Sequence, residues 1–201
     1  MPREPLPYTP GVAGVDEVGR GALAGPVVVA AVILPPEFDT IGIIDSKALS
    51  AAQREEAAER IRAEARYTIL FASAEEIDAK NVLRATLDAM RESLIQLKAN
   101  EAIIDGNQLP PGLPCPATTL VKGDSKDASI AAASILAKVA RDNHMVEMAD
   151  NYPGYGFEGH VGYGAPSHLG AIKSLGPCPI HRKSFEPIKS LINQPCLTLD
   201  L

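Results

Sequence analysis

Four carboxylates stand where this sequence could do chemistry. Asp16 and Glu17 are adjacent inside the apolar run from Ala13 to Leu34. Asp105 closes the short apolar stretch EAIIDGN, and Asp124 follows Lys122-Gly123. Two neighbouring carboxylates in an apolar run repel each other and lose hydration. Taken singly, Asp105-Gly106 and Gly123-Asp124 read as ordinary turn pairs. All three segments nevertheless read as strand ends. If those strands are neighbours, the four carboxylates meet at one edge of a sheet, where they cannot all stay ionised without a counter-charge. A divalent cation supplies it, and oxygen-only ligands suit Mg²⁺ or Mn²⁺. Two such ions can clamp the attacking and leaving oxygens of an in-line displacement at phosphorus.

The elements that must position these residues follow from hydrophobic pattern. Residues 12–18 and 26–34 read as strands, the second so apolar and β-branched that it suits burial on both faces. The segment 19–25 between them has three glycines and suits a tight connection. Residues 67–73, 101–107 and 116–124 read as three further strands. Residues 50–65 read as a helix capped by Ser50, and 73–99 as one long helix with Ser73 and Glu76 in capping-box spacing. The alanine-rich stretch 125–151 reads as a helix whose small side chains permit close packing or close approach to a partner. Residues 152–168 read as a Gly- and aromatic-rich loop, with short closing helices over 166–175 and 184–193. Three opening strands on short turns predict antiparallel pairing, and the later strands, reached through helices, predict parallel pairing. The expected fold is α/β: a mixed five-stranded sheet flanked by helices, with a small C-terminal helical extension. Residues 1–150 would form the sheet domain, and 151–201 a loop and helical extension.

Bulk properties set bounds. The chain has 201 residues, enough for a substantial core, and 46 % of them are hydrophobic. No apolar run is long enough to span a membrane, and MPREPLPYTPG lacks the apolar stretch of a secretory leader. Cys115, Cys178 and Cys196 are an odd number with no close pair, as expected of free thiols in a reducing cytoplasm. A formal net charge of −6 argues against a uniformly basic nucleic-acid binder. It does not exclude a local basic patch, and carboxylates that hold metal ions do not repel a phosphate.

Read together, GVDEVGRGALAGPVVVAAVIL, DSKALS, IDGN, VKGDSKDASIAAASILAKVARD, GYG followed by His168, and HRKSF resemble the ribonuclease HII family, over about residues 11–190. The resemblance implies a ribonuclease H-like fold and an endonuclease needing Mn²⁺ or Mg²⁺. It makes residues 1–150 the catalytic domain and has 151–201 contribute to substrate binding. Its activity would be hydrolysis of the RNA strand of RNA–DNA hybrids and nicking 5′ of single ribonucleotides embedded in duplex DNA. It makes Asp16, Glu17, Asp105 and Asp124 the catalytic and metal-binding residues. It makes Gly19-Arg20-Gly21 the reader of the ribose 2′-hydroxyl, the group that distinguishes RNA from DNA. Glycines let main-chain groups approach a sugar closely. Tyr163 would stack on the sugar at the RNA–DNA junction. Ser46, Lys47, Lys122, Ser125, Lys126, Ser134, Lys138 and Arg141 are candidate phosphate contacts, with Lys138 and Arg141 on one helix face. His168 and His181 match family histidines and are read as structural or substrate-side rather than as metal ligands. After the Tyr163 glycine the run is Ala165-Pro166-Ser167, where the family often has threonine and a basic residue.

The expected reaction is attack of water on phosphorus with loss of the 3′-oxygen, leaving a 3′-hydroxyl and a 5′-phosphate. Two rival readings remain. A DNA-only nuclease or phosphotransferase on the same fold would not need a 2′-hydroxyl reader. A non-catalytic hybrid binder would be expected to have lost a carboxylate. The expected working unit is a monomer. The C-terminal INQPCLTLDL, with a glutamine among apolar residues, would suit a sliding-clamp partner and would equally suit a tail without fixed structure.

Overall fold

β-Branched and apolar runs at the start of the chain pair at once. In the computed structural model, which describes residues 4–193, β1 (Ala13–Val18) and β2 (Val27–Ile33) form an antiparallel pair with Asp16 opposite Ala30. β2 is buried along its whole length, as its unbroken apolar run requires. β3 (Arg66–Ala72) adds antiparallel to β2. β4 (Ala102–Asp105) adds parallel to β1, and β5 (Ala117–Leu120) parallel to β4. The sheet order is β3-β2-β1-β4-β5, so the two parallel strands join on the far side of β1. The sheet is mixed, as expected, but the connections do not follow the expected rule: β3 is reached through a helix, α1 (Ala51–Glu64), and still pairs antiparallel, and β5 follows β4 without a helix and still pairs parallel.

Helices cover both faces. α1 begins at a capping box in which Ser50 and Gln53 exchange bonds. α4 (Ala128–Asn151) is buried without a break from Ala128 to Ala137. Its alanines let it lie directly on the sheet: a Cβ at Gly14 of β1 would collide with the main chain of Ser129 and Ile130. Close packing, not a partner, therefore accounts for the small residues of α4. The opposite face is covered by α3 (Val82–Leu97) through Ala85, Ala89, Met90, Leu94 and Leu97.

The expected single helix over 73–99 is two. α2 (Ala74–Lys80) ends at Asn81, whose φ of +70° breaks the helix and whose side chain accepts the Arg84 amide to start α3. Asn tolerates positive φ better than most residues and is a good N-cap, so one residue serves both ends. The expected loop over 152–168 contains α5 (Phe157–His160) and the start of α6 (Pro166–Leu175). α7 (Ile188–Ile192) closes the described chain.

The segments after α4 fold back against the first connection. Leu23 donates to the Gly162 carbonyl at 2.8 Å, Gly25 to Ile180 at 2.9 Å, and Arg182 to Leu23 at 2.9 Å. Residues 19–26 are thus held from two sides by chain that follows them by more than a hundred positions. Among the described residues no helix is long and apolar enough to cross a membrane.

Candidate active site

Parallel pairing brings the carboxylates to one edge. Val15 pairs with Ile104, which sets Asp16 level with Asp105, and Asp105 pairs with Leu120, four residues before Asp124. Successive strand residues point to opposite faces, so Asp16 and Glu17 do not lie side by side. Asp16 turns toward α4, where Ser134 approaches it. Glu17 lines a cavity of about 190 Å³ on the α3 side, with Asp105, Asn107, Leu87 and Met90. Asp105 Oδ1 accepts the Gly123 amide at 2.6 Å, which ties the end of β4 to the turn carrying Asp124. That turn is shaped by Lys122 in the left-handed region, φ +56°.

The electrostatics mark a site with too much negative charge. Burial pushes the Asp16 carboxyl well up, and the charges of Glu17 and Asp105 push it further; Ser134 and the Glu17 amide act the other way. Glu17 is raised by burial and by Asp105, with Arg20 opposing. Asp124 is raised by burial, then by Asp45 and Asp105, with Lys47 opposing. Asp105 is the neighbour common to all three. Asp45, from the DSK turn, is a fifth carboxylate at this edge that strand-end reasoning passes over. Among the described residues the only salt bridge to these acids is the exposed Arg20 Nη1 to Glu17 Oε1 at 3.3 Å. Oxygen-only donors and an unmet need for positive charge fit a hard divalent cation. The fit is one of charge and donor type: among the described residues no group of three or more His, Cys, Asp and Glu side chains is already gathered so as to hold a metal ion.

Beside the acids lies the Gly19-Arg20-Gly21 turn, and its glycines differ. Gly19, at φ +94°, has no room for a Cβ, which would strike the Arg141 side chain and the Pro26 carbonyl. At Gly21 a Cβ would meet nothing. The turn is fixed by an arginine that motif reading left unassigned. Arg182 is fully buried and makes four hydrogen bonds, to the carbonyls of Gly25 (3.0 and 2.9 Å), Arg20 (2.8 Å) and Gly19 (2.7 Å). Burial then lowers its pKa to about 9. A buried cation without a carboxylate partner is costly unless its donors are satisfied, and here carbonyl dipoles do so.

Arg141 is the second such clamp. The expectation of a phosphate contact on the Lys138 face is corrected by its burial: it donates to Pro26 (3.0 Å), Val161 (2.9 Å) and Ala24 (3.2 Å). Its guanidinium also lies 5.2 Å from the centre of the half-buried Tyr163 ring. Lys138 is bonded instead to Asp142, at 2.8 Å. Ser46 and Ser134 are buried and bonded to each other at 3.0 Å, with Ser134 also against Asp16. Lys47, Lys122, Ser125 and Lys126 are exposed near Asp124, and Ser125 and Lys126 donate to the Lys122 and Val121 carbonyls. Ala165 occupies the N-cap of α6 with no side-chain cap bond, ahead of Pro166.

A mixed five-stranded sheet with acids converging at the ends of its central strands is the ribonuclease H-like architecture. Two solved structures share it over most of their length. Ribonuclease H2 from Pyrococcus horikoshii OT3 superposes with a TM-score of 0.77 at 26 % identity, covering 90 % of this chain and 96 % of that one. The RNase HII of the PCNA:RNase HII complex from Archaeoglobus fulgidus gives 0.73 at 30 % identity, covering 87 % and 94 %. Residues 13–188 match the family model of ribonuclease HII. Ribonuclease HII of Maricaulis maris is 51 % identical over 183 residues, 90 % of this chain and 84 % of that one. Ribonuclease HII of Acidovorax sp. strain JS42 is 52 % identical over 192 residues, 94 % and 91 %. The chain belongs to the ribonuclease HII family, and is an endoribonuclease of the ribonuclease H type that cleaves RNA in RNA–DNA hybrids.

Proposed function

We propose that this enzyme nicks duplex DNA on the 5′ side of a single embedded ribonucleotide, as well as cutting continuous hybrids. Asp16, Glu17, Asp105 and Asp124 hold divalent ions, Mg²⁺ or Mn²⁺, two with substrate bound. The observation that carries this is the carboxylate edge itself, three groups raised by burial and by the nearby Asp105 and, among the described residues, only one of them in a salt bridge. When bound, the cations supply the counter-charge and polarise the scissile phosphate. A Mn²⁺ complex is described for Bst-RNase HIII, which shares the fold.

The chain's own residues do the rest. Arg20, exposed beside Glu17, is free to approach a phosphate. Gly21 faces open space, so the fold does not demand glycine there, whereas a sugar coming against the main chain would. Tyr163 stacks on the sugar at the junction, held by Arg141 from behind. Lys47, Ser125 and Lys138 flank the acid edge and position the duplex through phosphates. Ser46 serves by fixing Ser134 next to Asp16. Water attacks phosphorus in line; its oxygen forms the new P–O bond as the bond to the 3′-oxygen breaks and that oxygen takes a proton. The products are a 3′-hydroxyl and a 5′-phosphate.

Residues 1–150 supply the chemistry in this reading, and the extension from 151 supplies Tyr163 and Arg182. The enzyme acts as a cytoplasmic monomer. A PCNA complex is named for the Archaeoglobus fulgidus protein; a clamp contact here would use the tail 192–201, of which 194–201 lie outside the described residues.

The test is cleavage of a duplex holding one ribonucleotide, with Mg²⁺ and with Mn²⁺, beside a continuous hybrid. A nick 5′ of the ribonucleotide, absent in Asp16→Asn and Asp105→Asn, is the expected result. Cleavage of the hybrid alone would remove the junction reading. Metal-independent binding with no cleavage of either would leave a hybrid-binding protein.

A further inference from the structure

Behind the Tyr163 loop runs a buried chain of hydrogen bonds that touches none of the carboxylates. His168 Nδ1 lies 2.8 Å from the Tyr163 carbonyl oxygen. His168 Nε2 lies 3.1 Å from His181 Nε2. His181 Nδ1 accepts the Cys178 amide at 2.9 Å, and the Cys178 Sγ stands 3.1 Å from the same nitrogen. Both histidines are buried, at 0 and 1 % exposure.

Hydrogen-bond chemistry leaves one protonation pattern. A carbonyl oxygen only accepts, so His168 Nδ1 carries a proton. His181 Nδ1 faces both the Cys178 amide at 2.9 Å and the Cys178 carbonyl oxygen at 3.3 Å, and the shorter contact, with a group that only donates, makes this nitrogen the acceptor. The two facing Nε2 atoms must then be one donor and one acceptor, with His181 donating and His168 accepting. The three shortest of these bonds are satisfied together only if both rings are neutral. A proton added to His168 would set two N–H groups against each other at 3.1 Å. The surroundings agree: burial holds both rings below the usual histidine range, His181 at about 4. The titratable groups facing the pair are His160, Tyr155 and Cys178. His160 stacks on His168 with ring centres 4.3 Å apart, accepts the Gly162 amide and reaches the Tyr155 carbonyl.

The end of this chain is the Tyr163 peptide, not a surface group. Its carbonyl takes His168 and the Ala165 amide, while its own amide donates to His160. The ring is therefore aimed from its main chain by histidine and backed by the Arg141 guanidinium. We propose that His168 and His181 are positioning residues: as a neutral pair they fix Tyr163 and so set the preference for a single-ribonucleotide junction over a continuous hybrid. This rests on the reading of Tyr163 as the junction contact. A continuous hybrid offers many registers for cleavage and tolerates a displaced ring. A lone ribonucleotide offers one junction and does not.

Asparagine and glutamine separate the two ends of the chain. The amide of Asn reaches where Nδ1 sits and can still donate to the Tyr163 carbonyl; that of Gln reaches where Nε2 sits and cannot. His168→Gln is expected to lower kcat/KM on the single-ribonucleotide duplex about tenfold, the order of effect a small misplacement produces, with the continuous hybrid nearly unchanged. His168→Asn is expected to recover most of that loss. An unchanged ratio in His168→Gln, an equal loss on both substrates, or no difference between Asn and Gln would overturn the proposal. Tyr163→Ala is measured beside them. If it leaves the ratio unchanged, the junction reading of Tyr163 falls and takes the proposal with it. If it lowers the ratio while His168→Gln does not, only the positioning role falls. Because a buried histidine variant can fail to fold, the unmutated enzyme gives a second readout in its histidine ¹⁵N shifts near pH 7. The expected pattern is His168 protonated on Nδ1 and His181 on Nε2; the reverse pattern, or a charged ring, would overturn the proposal.

Discussion

Two regions on either side of the 19–25 turn handle charge in opposite ways. At the carboxylate edge, like charges are crowded and left short of partners, so Asp16, Glu17 and Asp124 are each raised by burial and then by a neighbouring carboxylate. Beside it, Arg141 of α4 and Arg182 of the C-terminal segment are buried without a carboxylate in salt-bridge contact, yet their donors are met by main-chain carbonyls. The first region stores an electrostatic deficit that only a ligand can remove. The second carries its own compensation and is rigid before any ligand arrives. The chemistry is left to be completed by what binds, while the shape that selects the substrate is built in.

That contrast can be broken from either side. Asp16→Asn should abolish cleavage, by about 10³-fold or more if the several kcal/mol ascribed to ion-assisted catalysis is lost. The same change should raise the melting temperature, since it removes a buried charge and its repulsions. A single-turnover assay and a thermal melt on one preparation check both, and a fall in stability would show that Asp16 is not strained. Arg182→Met should do the reverse. It leaves the Gly19, Arg20 and Gly25 carbonyls without their donor and should cost about 3 kcal/mol or more, read by denaturant unfolding.

Within the turn the glycines sharpen the comparison. Gly19→Ala forces a clash and a positive φ and should destabilise the fold by about 1–3 kcal/mol. Gly21→Ala should melt with the parent protein yet cleave more slowly, because only the substrate needs that space. The smallest effect is that of pH. His181, with its pKa in the fold held at about 4, lies below the ordinary value of 6.5. Its neutral form thus contributes stability that is whole above pH about 6.5 and is lost as pH falls toward 4. Raised Asp16 acts with the opposite sign, its destabilisation growing as pH rises through its elevated pKa. The melting temperature of His181→Gln should therefore fall less than that of the parent between pH 7 and 5.

The acid edge was legible because it rests on strand pattern, which the chain states locally. Asp16, Asp105 and Asp124 each stand in or just after a strand-like stretch, whereas strand direction was legible only as a mixed sheet, since β3 is antiparallel across α1 and β5 parallel without a helix. Residue types whose usual fate misleads were not legible. An arginine in a helix, such as Arg141, reads as a surface cation, and nothing local shows that a loop far away will bring carbonyls to it. Ser46 and Ser134 read as phosphate donors, and their mutual bond shows only in the fold. The break at Asn81 was hidden because apolar spacing continues across it, and only its backbone angle separates α2 from α3. His168 and His181 could be marked as matching positions, but their partnership depends on a distance no spacing contains.

The bond from Arg182 to Gly19 spans 163 positions. During synthesis the four acids are all present once residue 124 has been made, while the residue that locks the neighbouring turn emerges nearly sixty residues later. A chain interrupted in between holds every carboxylate of the acid edge and lacks the clamp on the turn beside it. The turn is thus locked only when translation is nearly complete, and ribosome-arrested chains ending before and after Arg182, probed by limited proteolysis of residues 19–26, would display it.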